Sequence, residues 1–119
     1  MPPLLVSAIF VFVGALLMVV AVPLMRRRIP PNSLYGLRVR ATFADSFVWY
    51  EANAMSGRDL LVLGAALVLA AGVLPWMLGE WAVMLLVGGL LVGTVVTAVR
   101  GTRHANRLLA ARRAETEQL

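Results

Sequence analysis

The sequence contains no cysteine, which excludes disulfides, thiol redox chemistry and cysteine-ligated metal. Charge is also scarce, at 14% of residues against a hydrophobic fraction of 61%. A soluble domain carries about 25% charge and about 45–50% apolar residues, so water is not the solvent this chain is built for. Its 119 residues make one domain. Lysine is missing too: all eleven basic residues are arginine, six between Arg26 and Arg58 and five between Arg100 and Arg113. A net charge of +5 would suit nucleic acid. However, both arginine clusters flank long apolar runs and no nucleic-acid recognition signature accompanies them, so the expectation is no nucleic acid and a topological role for the charge.

Three stretches hold no Asp, Glu, Lys, Arg or His: residues 3–25, 60–77 and 81–99. The first, at about 1.5 Å per residue, spans roughly 34 Å, enough for a hydrocarbon core of about 30 Å. The other two approach the lower limit for a span. The first is not built like a cleaved signal, because its positive charge, Arg26-Arg27-Arg28, follows the apolar stretch instead of preceding it. That triplet holds the following loop in the cytoplasm and puts the N-terminus outside. Leu78-Gly79-Glu80 between the second and third runs is too short for anything but an antiparallel helical hairpin. Trp76 and Trp81 beside it suit the outer interface. The expected fold is therefore an all-α integral membrane protein. It has three transmembrane helices and a short interfacial helix between the first and second, with a cytoplasmic loop over residues 26–59 and a basic cytoplasmic tail over residues 100–119.

The absence of charge inside the spans argues against a proton-coupled transporter, whose relay needs an intramembrane carboxylate. A pore would show a polar stripe along a span, and only the glycine and threonine face of the third run comes near one. No paired carboxylate, serine–histidine arrangement or metal cluster is legible, so neither an enzyme nor a cofactor is expected. His104 stands alone, which does not make a metal site. Gly89, Gly93 and Thr97 recur every four residues and form a small-residue stripe. The stripe suits close packing within the hairpin or, alternatively, a homo-oligomer. Leu108 and Leu109 in the tail are expected to dip toward lipid.

The specific part of the chain is the polar segment 26–59. Pro30-Pro31 fixes an extended exit from the first span, Asn32 is a turn former, and Gly36 allows a backbone barred to other residues. Thr42 followed by Asp45 reads as a capping box that starts a helix running through Trp49 and Asn53 to about Ser56. That helix should lie at the interface and reach the second span through Gly57-Arg58-Asp59. Asn32, Arg38 and Asn53 would form a polar cup walled by Trp49.

With Pro30-Pro31-Asn32, Gly36-x-Arg38, Thr42, Trp49-Tyr50-Glu51-Ala52-Asn53 and Gly57 placed between a first span and a helical hairpin, the chain resembles the SdpI family. That family is named for the immunity protein against a sporulation-delaying peptide toxin of bacilli. The resemblance is to the C-terminal three-span unit of that protein. Where the family has Thr-Pro after the arginine, this chain has Val39-Arg40. The resemblance implies a non-enzymatic binding role: immunity to, or sensing of, a membrane-active peptide toxin, with coupling to a cytoplasmic regulator. It implies Asn32, Gly36, Arg38, Thr42, Trp49 and Asn53 as the motif residues. The lipid bilayer is the expected partner in either case, and the alternative role is that of a structural or accessory subunit of a larger membrane complex.

Overall fold

In the computed structural model, which describes residues 1–118, four helices follow one another: α1 (Pro3–Met25), α2 (Arg40–Ala44), α3 (Ser46–Leu78) and α4 (Trp81–Glu117). Three of them, α1, α3 and α4, are long and apolar enough to cross a membrane. The chain is a three-span, all-α membrane protein with the short α2 between its first and second spans.

Proline in the first turn of α1 costs nothing, because its missing N–H would have no partner there. At the other end the helix is closed by a pair of nested main-chain bonds. The Arg28 amide donates to the Pro23 carbonyl at 3.0 Å and the Arg27 amide to the Leu24 carbonyl at 3.2 Å. This Schellman arrangement needs a left-handed residue, usually glycine. Here Arg27 fills it at φ 56°.

The helix starting ahead of the second span begins differently from the sequence expectation. Thr42 does not cap it. Asp45 does, accepting from the Phe47 amide at 2.8 Å and the Val48 amide at 3.4 Å. A carboxylate at the positive end of the helix dipole makes the better cap. Thr42 instead sits inside α2, its hydroxyl accepting from the Val39 amide at 3.0 Å. The helix does not stop near Ser56 or lie apart along the interface, either. It runs unbroken through Gly57-Arg58-Asp59 into the second apolar stretch as α3. Gly57 is used for packing and not as a breaker: a Cβ there would fall 2.9 Å from both the Ala21 carbonyl oxygen and the Met25 nitrogen.

Gly57 belongs to the seam between α1 and α3. Gly14 and Gly64 face each other so closely that a Cβ on either would lie within 2.7 Å of the other's carbonyl oxygen. Ser7, Gly14 and Ala21 on α1, and Gly57, Gly64 and Ala71 on α3, recur every seven residues and are all buried. In lipid there is no hydrophobic drive between helices, so close approach through small residues supplies the packing attraction.

On its other side α3 packs against α4, joined to it through Gly79 (φ 58°) and Glu80. Gly93 admits Leu63, whose Cδ1 would collide with a Cβ placed there, and Thr97 is buried with its hydroxyl donating to the Gly93 carbonyl at 2.8 Å. Gly89 has nothing within 4 Å of such a Cβ. Pro75 lies inside α3 and does not end it.

At about 1.5 Å per residue, α3 and α4 measure roughly 50 and 55 Å, well beyond a hydrocarbon thickness of about 30 Å. Their excess lies at the arginine-rich end, where residues 46–59 and 100–117 form a helical pair outside the apolar stretches. Its core joins Ala41, Val48, Ala52 and Ala105, with Leu108 and Leu109 packed against them. The two leucines therefore do not dip toward lipid. The α2–α3 junction offers them a protein surface, and α4 continues as one helix to reach it.

Candidate functional site

Between α1 and α2 the chain has no regular structure, so the main-chain groups of residues 29–39 need partners from elsewhere. The motif side chains provide them. The Asn32 amide makes four bonds, its full capacity. It donates to the Pro30 carbonyl at 2.8 Å and the Tyr35 carbonyl at 3.1 Å, and accepts from the Leu34 and Tyr35 amides at 2.9 and 2.7 Å. The Trp49 indole N–H donates to the Ile29 carbonyl at 2.8 Å. Asn53 accepts from the Leu37 amide, and its own amide donates to the Trp49 carbonyl at 2.9 Å. The Thr42 hydroxyl lies 2.9 Å from the Leu37 carbonyl oxygen. Arg38 donates to the Ser33 carbonyl, and the Tyr35 hydroxyl donates to the Val20 carbonyl within α1.

This last bond locates the loop. Val20 lies six residues before Arg26, roughly 9 Å along the helix axis. The loop folds back beside the last turns of the first span. Irregular backbone at such a depth is tolerated only where protein groups satisfy it. Gly36 has φ +105°, and a Cβ on it would meet Asn53 Oδ1 at 2.7 Å. The turn and the asparagine that holds it are thus fitted to each other.

Of the six motif residues, Gly36, Thr42, Trp49 and Asn53 converge around Leu37 or the base of the loop. Trp49 is fully buried, with its ring 5.5 Å from that of Phe43, and Asn53 and Thr42 are almost fully buried. Asn32 acts within the loop. Arg38 is exposed on the loop surface and spends one donor on Ser33. Of the separate feature on α4, Gly93 faces Leu63 of α3, and Thr97 borders a cleft that Gly36 and Leu37 also line.

Three ion pairs brace the arginine-rich end. Arg27 grips Glu51 with two bonds, at 2.7 and 3.1 Å. Arg100 reaches Asp59 at 2.9 Å. Arg112 reaches Asp45 at 2.8 Å while its guanidinium stands 4.8 Å from the Phe47 ring centre. The hydrogen bond from Arg27 holds the Glu51 carboxyl below the usual carboxylate range. Arg112, with the first amides of α3, does the same for Asp45, against a smaller opposing effect of desolvation. Both carboxylates are committed to separate arginines, so they do not form an acid–base pair. Among the described residues no group of His, Asp or Glu is placed to hold a metal ion.

A family model, the SdpI/YfhL protein family, matches residues 28–99. The chain belongs to that family. The matched stretch begins at the end of α1 and includes the loop, α2, α3 and the apolar part of α4, with all six motif residues. No curated protein and no solved structure gives a significant match. What the sequence reading of this SdpI/YfhL-family chain missed is the set of braces: Tyr35 to Val20, Arg27 to Glu51, Arg100 to Asp59 and Arg112 to Asp45. Each joins residues at least 15 positions apart, so none left a local signal. The small-residue heptad of α1 was legible as a spacing of seven from Ser7 to Ala21.

Proposed function

We propose that this SdpI/YfhL-family protein is a non-enzymatic binding protein of the bacterial plasma membrane, acting in immunity to, or sensing of, a membrane-active peptide toxin. The N-terminus faces outside, and the loop and arginine-rich helical pair face the cytoplasm. Family membership supplies the class of role. One observation carries the local reading. The motif side chains spend their hydrogen bonds on the loop backbone and leave one exposed guanidinium, Arg38, on a preformed surface. A rigid surface with a free cation is suited to recognition: a guanidinium with donors to spare binds a carboxylate or phosphate without reorganisation.

The test is survival of cells exposed to a membrane-active peptide toxin, with protein level measured in the membrane fraction. Arg38→Ala abolishes protection at unchanged membrane level, because Arg38 is exposed and its loss leaves the buried bonds intact. Trp49→Ala loses protection together with thermal stability. Full protection by both variants would reduce the motif to architecture. Unchanged toxin sensitivity on deletion, with stable co-migration of the protein in a large complex, would favour the accessory-subunit role instead.

A further inference from the structure

The loop and α4 do not close completely over α3. A cleft of about 320 Å³ remains, walled by Val20 and Leu24 of α1, Tyr35 and Leu37 of the loop, and Thr94 and Ala98 of α4. Its inner wall holds Ser56, which is 5% exposed and whose hydroxyl has no hydrogen-bond partner among the described residues. The oxygen itself is turned from the cleft, against Gly101 of α4. Ala98 also belongs to a second hollow of about 320 Å³, whose other walls are Val99, Thr102 and Arg103. The two hollows border each other at Ala98: the first is an apolar slot at the depth of the span, and the second is bounded by an exposed arginine that pairs with no carboxylate among the described residues.

We propose that the two hollows form one track along α4, which holds one anionic phospholipid. An acyl chain fills the slot between α1 and α4, and the phosphate rests on Arg103. Charge selects this occupant. The arginine-rich end bears all eleven arginines and only five carboxylates, so its surface attracts anionic headgroups. The slot opens between spans, where lipid tails are the surrounding solvent. A zwitterionic lipid would offer the same tail but no net charge to Arg103.

The experiment needs no toxin and so stands apart from the immunity reading. The full chain is reconstituted in vesicles of equimolar phosphatidylglycerol and phosphatidylcholine, extracted in mild detergent, and its retained lipid is counted by native mass spectrometry. The wild type retains one phosphatidylglycerol per chain. Ala98→Phe, which fills the track from an exposed position, retains neither lipid while its thermal transition stays in place. Arg103→Gln lowers the preference for phosphatidylglycerol roughly fivefold, the contribution of one arginine near an anionic headgroup. Arg107→Gln, with the same charge change one turn further along α4, leaves the preference unaltered. The proposal is overturned by a lipid-free wild type, by lipids retained in the vesicle ratio, by Ala98→Phe retaining phosphatidylglycerol, or by equal effects of Arg103→Gln and Arg107→Gln. A dimer that Ala98→Phe dissociates would also overturn it, since the occupant would then be a second copy.

Discussion

Asn53 does the work of a strand neighbour for a loop that has none. Its carboxamide binds the Leu37 main chain while its own amide stays on α3 through the Trp49 carbonyl. Gly36 is the residue that makes room for it. Gly36→Ala forces a side chain into a left-handed backbone and against the Asn53 oxygen, a strain of about 1–3 kcal/mol. Asn53→Ala leaves the Leu37 amide without its partner, at about 1–3 kcal/mol for a buried group. Because both act on one contact, their effects overlap, and the double variant loses less than the sum. Thermal unfolding of the purified protein in mild detergent measures all three. Full additivity would mean that Gly36 and Asn53 stabilise the loop independently. Arg27 illustrates the opposite choice at a left-handed position. Glycine would fit the backbone better, but only a long cation can close the end of α1 and grip Glu51 together.

At the scale of elements, α3 is the shared wall, with α1 sealed to it by small residues and α4 by Leu63 entering the gap at Gly93. Gly64→Leu pushes α1 away along its whole length, costing about 3 kcal/mol or more, since backbone rather than a flexible side chain meets the new atoms. Gly88→Leu, with open space around it, leaves the transition unchanged. The tail clamp depends on pH in a defined direction. Asp45 has a carboxyl held below its ordinary value by Arg112, so the clamp contributes fully above about pH 4 and is lost as pH falls through the lowered value. Hydrogen–deuterium protection of residues 105–117 stays constant from neutral pH down to about 5 and declines below about 4. In Asp45→Asn, which keeps the helix cap, protection is low throughout. These elements also mark how far the sequence could be read. Three charge-free runs and a three-residue connection made the spans legible, because lipid admits few other solutions. The start of α3 was not, because Thr42 and Asp45 are both good caps and only tertiary contact decides between them. Arg112 reaches Asp45 across 67 positions, and Leu108 and Leu109 follow it onto α2, so a lipid-facing reading was natural from the tail alone. For the motif, the sequence revealed that turn formers, an indole and an amide were gathered in one segment. It did not reveal that they all serve the loop backbone, since that follows from the loop folding back along α1 as far as Val20.

The whole molecule is a rod of 62 × 22 × 20 Å with its charge at one end. Every arginine lies with Asp45, Glu51, Asp59, Glu115 and Glu117 at the end carrying the loop, and Glu80 lies with Trp76 and Trp81 at the other. Arginine resists translocation across the membrane during insertion, whereas a lone glutamate offers little resistance. The proposed orientation, with the loop and α4 tail in the cytoplasm, rests on this kinetic bias and on the lipid charge of that leaflet. The lack of cysteine makes the assignment simple to test, because any introduced thiol is the only one in the chain. Ser33 and Glu80 are both exposed and lie at opposite ends. In intact cells a membrane-impermeant maleimide modifies Glu80→Cys and spares Ser33→Cys, and permeabilisation makes both reactive. The reverse pattern would turn the protein over in the membrane. It would place Arg38 in contact with an external toxin directly, and the protective surface would then be sought on the outside rather than beneath the inner leaflet.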